Sequence, residues 1–365
     1  MLKIINSKQS ENLDNRTISK KVSSKEALID NAGKAIAYHI IESIDDPFNS
    51  TFLCVAGKGN NGMDAIISNK YLTQNNIDSS LLIIEPLEFD IDNLRGINYF
   101  TVIDKLNFSD YDYIVDGLFG TGLNREVEGV FNSAIEQMQI HGRVISIDIP
   151  SGIYADSGNS SQKSVTAFET ITFTYPKLGH YLSDGYKARG ELFIYPIGHA
   201  QDKVDNSVYL IEDKDIARLL HPIDSISDKY SNGKILSLTG STNYTGAALL
   251  SGVSALKTGA GILKQIYPLS LNESFSQFKE AIDFPIEDHG LGFLTSDHIK
   301  EISPFYEWAD CLMIGPGISQ AKESIHLMKM VLLTYSGNCV MDATALSGID
   351  FKRDKFDIPV SDTAI

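Results

Sequence analysis

Cysteine is nearly missing from this 365-residue sequence: Cys54, Cys311 and Cys339 are the only three, far apart and in no metal-ligand spacing. A disulfide framework and a zinc site are therefore both unsupported. Cys54 and Cys339 fall in apolar strand-like runs and are expected as small buried hydrophobes. The eight histidines form no HxxxH or HxH pair, so a histidine-based metal site is unsupported too. No stretch approaches the roughly 18 uninterrupted apolar residues of a membrane span, and Met1 to Ser10 lacks the apolar core of a secretion signal. The expectation is a cytoplasmic protein with no membrane attachment. Basic charge is also scarce. The 31 Lys and Arg against 47 Asp and Glu leave a net charge of -16 with no Lys/Arg cluster, which repels a polyanion and argues against nucleic acid as a partner.

What remains is an ordinary globular composition, 43% hydrophobic and 21% charged, which excludes disorder and fibrous classes. The length exceeds the usual domain of about 100 to 200 residues, so two domains are expected. The first covers residues 1–210, a linker 211–230 follows, and the second occupies 231–365.

Hydrophobic spacing predicts a helix over Lys25 to Ser43, capped by Ser23 or Ser24. Strand Thr51 to Ala56, a glycine loop, helix Asp64 to Leu72 and strand Ser79 to Glu85 then make a βαβ unit. Further strands end at Asp116, at Asp148 and near Tyr175, and Gly190 to Ile197 closes the domain. This alternation predicts a parallel sheet covered on both faces. It restarts with strand Gly233 to Thr239, helix Thr245 to Thr258, strand Ile262 to Ile266, strand Cys311 to Ile314, helix Ala321 to Leu333 and strand Asn338 to Asp342.

Gly57, Gly59 and Gly62 satisfy GxGxxG between a strand and a helix, and Glu85 stands where a ribose-binding acid belongs. The triplet alone is weak, since a turn needing positive φ gives the same glycines. Two more loops follow strands of the same sheet and open at its carboxyl edge: Asp116 to Arg125 (DGLFGTGLNR) and Asp148 to Gly152 (DIPSG). Gly120 and Gly122 let backbone amides approach a phosphate, and Arg125 can meet it with a forked contact. Asp116 and Asp148 at strand ends suit a hard cation, a sugar hydroxyl or proton transfer, although each alone could equally cap a turn.

Together GKGNNGMDA, DGLFGTGLNREVEG, IDIPSG followed by Asp156-Ser157-Gly158, TFTYPKLGH and the opening LIDNAG resemble the epimerase half of the bifunctional NAD(P)H-hydrate repair enzymes. The second domain resembles their ADP- or ATP-dependent dehydratase half through Lys229 to Lys234 (KYSNGK), Gly240-Ser241, Gly246 to Ala248 (GAA), Gly259 to Gly261 (GAG), Gly315 to Gly317 (GPG) and Asp342-Ala343. The resemblance implies a Rossmann-like three-layer αβα domain followed by a truncated ribokinase-like α/β domain. It implies that the hydrated nucleotide, NADHX or NADPHX, meets Asn60, Asn61, Gly62, Met63, Asp64, Gly120, Thr121, Gly122, Leu123, Asn124, Arg125, Glu126 and Asp148, and in the second domain Ala247 and Gly317. Potassium is implied at Asn61, Asp116 and Ser151, whose oxygens suit a hard cation. ADP or ATP is the implied cofactor of the dehydratase. Inverting the hydrate's ring carbon requires carbon–oxygen cleavage with proton transfer. Asp148 is the expected acid–base group, with Lys177 as a second participant unless it is a solvated loop lysine.

Two departures shape further expectations. Met63 and Ala65 stand where the family has glycine, and side chains there would narrow the loop or exclude positive φ. Thr344 stands where the family has aspartate, and the sequence ends at Ile365, before the family's histidine-bearing segment and its glycine-rich phosphate loop. The expectations are no dehydration by this chain, and a homo-oligomer or aggregation to cover exposed sheet. An NAD-dependent oxidoreductase, a non-catalytic nucleotide-binding scaffold and, for the second half, a plain sugar kinase are the rival readings.

Overall fold

A computed structural model describes residues 1–84, 98–103, 106–200, 208–220, 226–276 and 278–348. The chain divides into two compact units, Met1–Leu220 and His221–Ile365. Glu85, expected as a ribose-binding acid, lies outside the described residues.

The first unit runs β1 (Leu2–Ile4), α1 (Ser7–Ser19), α2 (Lys25–Ser43), β2 (Thr51–Ala56), α3 (Asn60–Gln74), β3 (Asp78–Ile83), β4 (Asn98–Phe100), β5 (Tyr113–Gly117), α4 (Val130–His141), β6 (Val144–Ile147), β7 (Glu169–Phe173), α5 (Ser183–Ala188), β8 (Glu191–Tyr195), β9 (Val208–Leu210) and α6 (Asp213–Leu219). α6 falls in the stretch read as linker. Its capping region holds the chain terminus, whose ammonium donates to Asp215 Oδ1 at 2.6 Å.

Seven strands form one parallel sheet in the order β4-β3-β2-β5-β6-β7-β8. The strand order reverses between β2 and β5, which opens a crevice at their carboxyl ends. Alternation along β2 shows why both faces are covered. Phe52, Cys54 and Ala56 pack with Leu28, Ile36 and Ile40 of α2 and Ile66 and Leu72 of α3. Leu53 and Val55 pack with Ala134, Ile135 and Met138 of α4 on the other side. With side chains alternating at period two, a strand apolar at every position must be buried twice, which makes three layers. Ser24 caps α2 by accepting from Ala27 N at 3.2 Å, one of the two expected caps.

The second unit repeats the principle. β10 (Lys234–Leu238), β11 (Ile262–Pro268), β12 (Ile282–Ile286), β13 (Cys311–Ile314) and β14 (Asn338–Met341) make a parallel sheet ordered β12-β11-β10-β13-β14. The helix Lys322–Thr334 lays Leu327, Met328, Val331 and Leu332 against Leu236, Leu238, Leu312 and Ile314. Cys54 is buried as expected, whereas Cys339 on β14, which pairs with β13 alone among the described residues, is only half-buried.

Candidate active site

The glycine loop is shorter than its sequence suggests. α3 begins at Asn60, four residues before the expected start, so Asn60, Asn61 and Gly62 form its first turn behind the N-cap Gly59. None of Gly57, Gly59 and Gly62 has positive φ. Two of them are glycine because the backbone is crowded: a Cβ on Gly57 would lie 2.0 Å from the Leu118 carbonyl, and one on Gly62 1.8 Å from the Gly57 carbonyl. The expected conflict at Met63 and Ala65 also disappears. Both positions are helical, Met63 packs against the core and Ala65 is fully buried. A helix needs negative φ, so a side chain there costs nothing.

The carboxyl ends of β6 and β7 both break off in a tight reversal. Asp148 has φ +66° and is spanned by a bond from Ile149 N to the Ile147 carbonyl at 2.8 Å. Thr174 has φ +60° and is spanned in the same way by Tyr175 N to Phe173 O at 2.6 Å. Non-glycine residues in this region are strained, and such strain collects at functional sites. At Asp148 the carboxyl is held by a ring of donors. Lys177 Nζ lies 2.5 Å from Oδ1, Thr172 Oγ1 donates to Oδ1 at 3.2 Å, and Thr121 N donates to Oδ2 at 3.0 Å. Lys177 also donates to Thr172 Oγ1 at 2.8 Å.

Asp148 is 8% exposed and Lys177 only 2%, so Lys177 is not a solvated loop lysine. Burial by itself would push the Asp148 carboxyl up, but the adjacent Lys177 ammonium and the Thr121 amide outweigh it and hold the group below its ordinary value. His180 closes the arrangement from behind. Its Nδ1 accepts from Lys177 N at 3.0 Å, so its Nε2 donates to the Asp148 carbonyl at 2.8 Å. Burial, then the Lys177 charge, lowers His180 to about 3 and keeps it neutral.

Asp116, fully buried at the end of β5, accepts from Leu118 N at 3.2 Å, Ser146 Oγ at 2.9 Å, Ser151 N at 2.9 Å and Ser151 Oγ at 2.5 Å. Burial raises its carboxyl against these four bonds. Phe119 N donates to Ser151 Oγ at 2.9 Å, and Asn61 Nδ2 donates to the Phe119 and Ile147 carbonyls at 2.9 and 3.1 Å. Asn61, Asp116 and Ser151 thus belong to one hydrogen-bonded cluster around Phe119. The side chains of Asn61, Asp116 and Ser151 offer oxygens for ligation with a single carboxylate among them, a set that fits a hard monovalent cation.

A cavity of about 920 Å³ opens over this edge of the sheet. Asn60, Asn61, Asp64, Gly120, Thr121, Gly122, Leu123, Asn124, Arg125, Asp148 and Lys177 line it. Gly62 and Met63 do not, being packed inward. Nor does Glu126, whose carboxylate accepts from Ser161 Oγ at 2.9 Å and Gln162 N at 3.2 Å. Gly120 leaves room at its place, because a Cβ there would sit tightly, 3.0 Å from Asn61 Oδ1 and 3.1 Å from Asp148 Oδ2.

Sequence reasoning missed one whole wall. Ser7, Glu11, Asp14 and Ile18 of α1 face the cavity at helical spacing, and Asp14 accepts from His199 Nε2 at 2.7 Å. Asp156 holds the start of this helix by accepting from Ser7 N at 2.6 Å. α1 is polar nearly all round, which hid its period. The signal that could have found it is the capping box in which Asn6 Oδ1 accepts from Gln9 N at 2.8 Å and Gln9 Oε1 accepts from Asn6 N at 2.8 Å.

In the second unit, Gly315 to Gly317 lies where that sheet reverses its order, between β10 and β13. Gly240 N donates to the Pro316 carbonyl at 3.0 Å and Ser241 Oγ to that of Gly317 at 2.8 Å. Gly317 has φ +70° and abuts the Tyr244 carbonyl, while Ala247 is exposed in the first turn of the helix Thr245–Lys257.

Two family models match this chain, the YjeF-related protein N-terminus over residues 25–179 and NAD(P)H-hydrate dehydratase over 235–362. The NAD(P)H-hydrate epimerase of Oenococcus oeni is 32% identical over 205 residues, which cover 53% of this chain and 96% of that protein. The chain belongs to the NAD(P)H-hydrate repair family. In order, it carries an epimerase domain and a dehydratase domain. The bifunctional NAD(P)H-hydrate repair enzymes of Thermofilum pendens and Dictyoglomus turgidum are each 29% identical to it, over 92% and 95% of this chain. The chain spans about two thirds of the length of these bifunctional relatives, 67% and 71%. No helix among the described residues is long and apolar enough to cross a membrane.

Proposed function

We propose that the first unit interconverts the R and S hydrates of NADH and NADPH, with Asp148 as the proton-transferring carboxylate and Lys177 as the ammonium that keeps it ionised. The observation that carries this reading is the Asp148–Lys177 pair, buried yet lining a cavity of about 920 Å³ at the sheet's switch point. In such a place a carboxylate kept below its ordinary value is a base at neutral pH. The N-terminal turn of α3 and the amides of residues 120–124 suit the substrate's phosphates, with Arg125 at the rim. Asn61, Asp116 and Ser151 are the residues that would hold potassium, whose charge would help offset those phosphates. The second unit belongs to the family of the partner reaction, removal of water from the S hydrate at the expense of ADP or ATP, with Ala247 and Gly317 as its candidate substrate contacts.

The test is to incubate the purified chain with the separated R and S hydrates, with and without potassium, and to follow both by chromatography. Interconversion is expected, faster with potassium. Net oxidation or reduction of the nicotinamide, without interconversion, would instead support an oxidoreductase.

A further inference from the structure

Asp64 is a carboxyl without a partner. It is 7% exposed and lines the same cavity as Asp148, yet among the described residues it accepts no hydrogen bond and forms no ion pair. The other carboxyls around it are satisfied: Asp148 by Lys177, Thr172 and Thr121, Asp116 by four donors, and Asp14 by His199. A largely buried carboxylate with no protein donor is disfavoured, so this group is suited either to stay protonated or to meet a ligand in the cavity. Its setting favours the first state. Burial, then the charges of Asp148 beyond β6 and Asp14 on α1, push the Asp64 carboxyl well above its ordinary value, and Lys177 opposes them only in part. Asp64 and Asp148 therefore face one cavity with their carboxyls pushed in opposite directions, the arrangement that separates an acid from a base.

We propose that Asp64 is the second proton-carrying residue of the epimerisation: it protonates the departing ring hydroxyl while Asp148 takes the proton of the water that adds to the opposite face. The proposal rests on the epimerase reading above. In the first half, the carbon–oxygen bond breaks with its electron pair on oxygen, which takes the Asp64 proton and leaves as water. The ring nitrogen's lone pair closes a carbon–nitrogen double bond, so the ring is cationic and Asp64 anionic. In the second half, water forms the new carbon–oxygen bond on the other face, its spare proton passes to Asp148, and the double-bond pair returns to nitrogen. Nothing is oxidised or reduced. Asp148 ends protonated and Asp64 ionised, which is the starting state for the reverse conversion, so the two carboxyls keep one proton between them.

The experiment uses Asp64→Asn, which preserves shape and a hydrogen-bonding group but cannot release a proton, and Asp64→Glu, which can. Both are assayed with each hydrate, and kcat and KM are separated across pH. The expected result for Asp64→Asn is a kcat about 10²–10⁴-fold lower, a KM within about threefold of the unaltered chain, and loss of the alkaline limb of the pH profile. Asp64→Glu should regain part of kcat, and that limb with it. Retained kcat in Asp64→Asn, or a loss confined to KM, would make Asp64 a binding group only and overturn the proposal. Failure of the unaltered chain to interconvert the hydrates would sink the epimerase reading, and the proposal with it.

Discussion

The same sheet holds a buried acid–base pair at each end, and only one of them lines the cavity. At the carboxyl edge, Asp148 pairs with Lys177. At the amino edge, Glu169 opens β7 and its Oε2 lies 2.9 Å from His39 Nε2, while His39 Nδ1 meets Tyr195 Oη at 2.9 Å and the ring of Phe193 packs tilted against it, 4.4 Å between centroids. Burial and pairing do not tell the two apart. The differences are that Asp148 sits on a strained reversal and Glu169 in regular strand, and that the first pair lines the large cavity and the second does not. A buried ion pair is common structural material; one that faces empty space from a strained backbone is poised to act.

The two pairs should respond to substitution in opposite ways. Asp148→Asn is expected to lower hydrate interconversion by about 10²–10⁴-fold while the chain stays folded. Glu169→Gln is expected to leave turnover per folded molecule unchanged and to lower stability by about 1–3 kcal/mol, because the buried His39 loses its carboxyl partner. Chromatographic assay and denaturant melts of both variants check this. Full activity in Asp148→Asn, or inactivity of folded Glu169→Gln, would reverse the assignment.

Lys177→Met separates the roles of the pair through pH. Removing one member of a buried pair costs about 3–5 kcal/mol, and the Asp148 carboxyl, no longer held down, moves up. A carboxyl depressed in the fold adds stability above its unfolded value of about 3.9, which is lost as pH falls through the depressed folded value. In the variant that increment is absent. The acid limb of its pH–rate profile should stand at higher pH than in the unaltered chain. An unmoved limb would show that Asp148 is not the titrating base.

The sequence disclosed the parallel sheet and its loops because strand runs such as Phe52 to Ala56 are apolar throughout, and DGLFGTG and DIPSG follow strand ends directly. It could not disclose what long-range packing decides. The glycines of the first loop looked like positive-φ positions, whereas crowding by the Leu118 and Gly57 carbonyls explains two of them, and those contacts exist only in the folded crevice. Lys177, 29 residues from Asp148, could be named but not paired, since their meeting depends on β6 and β7 ending side by side. α1 escaped because Leu13 and Thr17 alone are buried along its length, too few to show a period. Its contribution to the cavity comes from contacts with His199 and Asp156, on segments 185 and 149 residues away.

The smallest effect concerns stability at Asp64. Its carboxyl is raised in the fold, the reverse of Asp148. Between the unfolded value of about 3.9 and the raised folded value, the folded chain holds a proton that the unfolded chain has lost, so stability falls as pH rises through that window. Asn carries no such liability. Asp64→Asn should therefore melt higher than the unaltered chain at neutral pH, by a margin that narrows as pH is lowered and vanishes below about 3.9, where the carboxyl is protonated in both states. Glu169→Gln should show no such gain at any pH. A group kept for folding loses stability when replaced, whereas a group kept for chemistry restores stability when it is removed. Parallel melts of the two variants from pH 3 to 8 read that difference, and an Asp64→Asn chain less stable than the original at neutral pH would place Asp64 with Glu169 among the structural carboxyls.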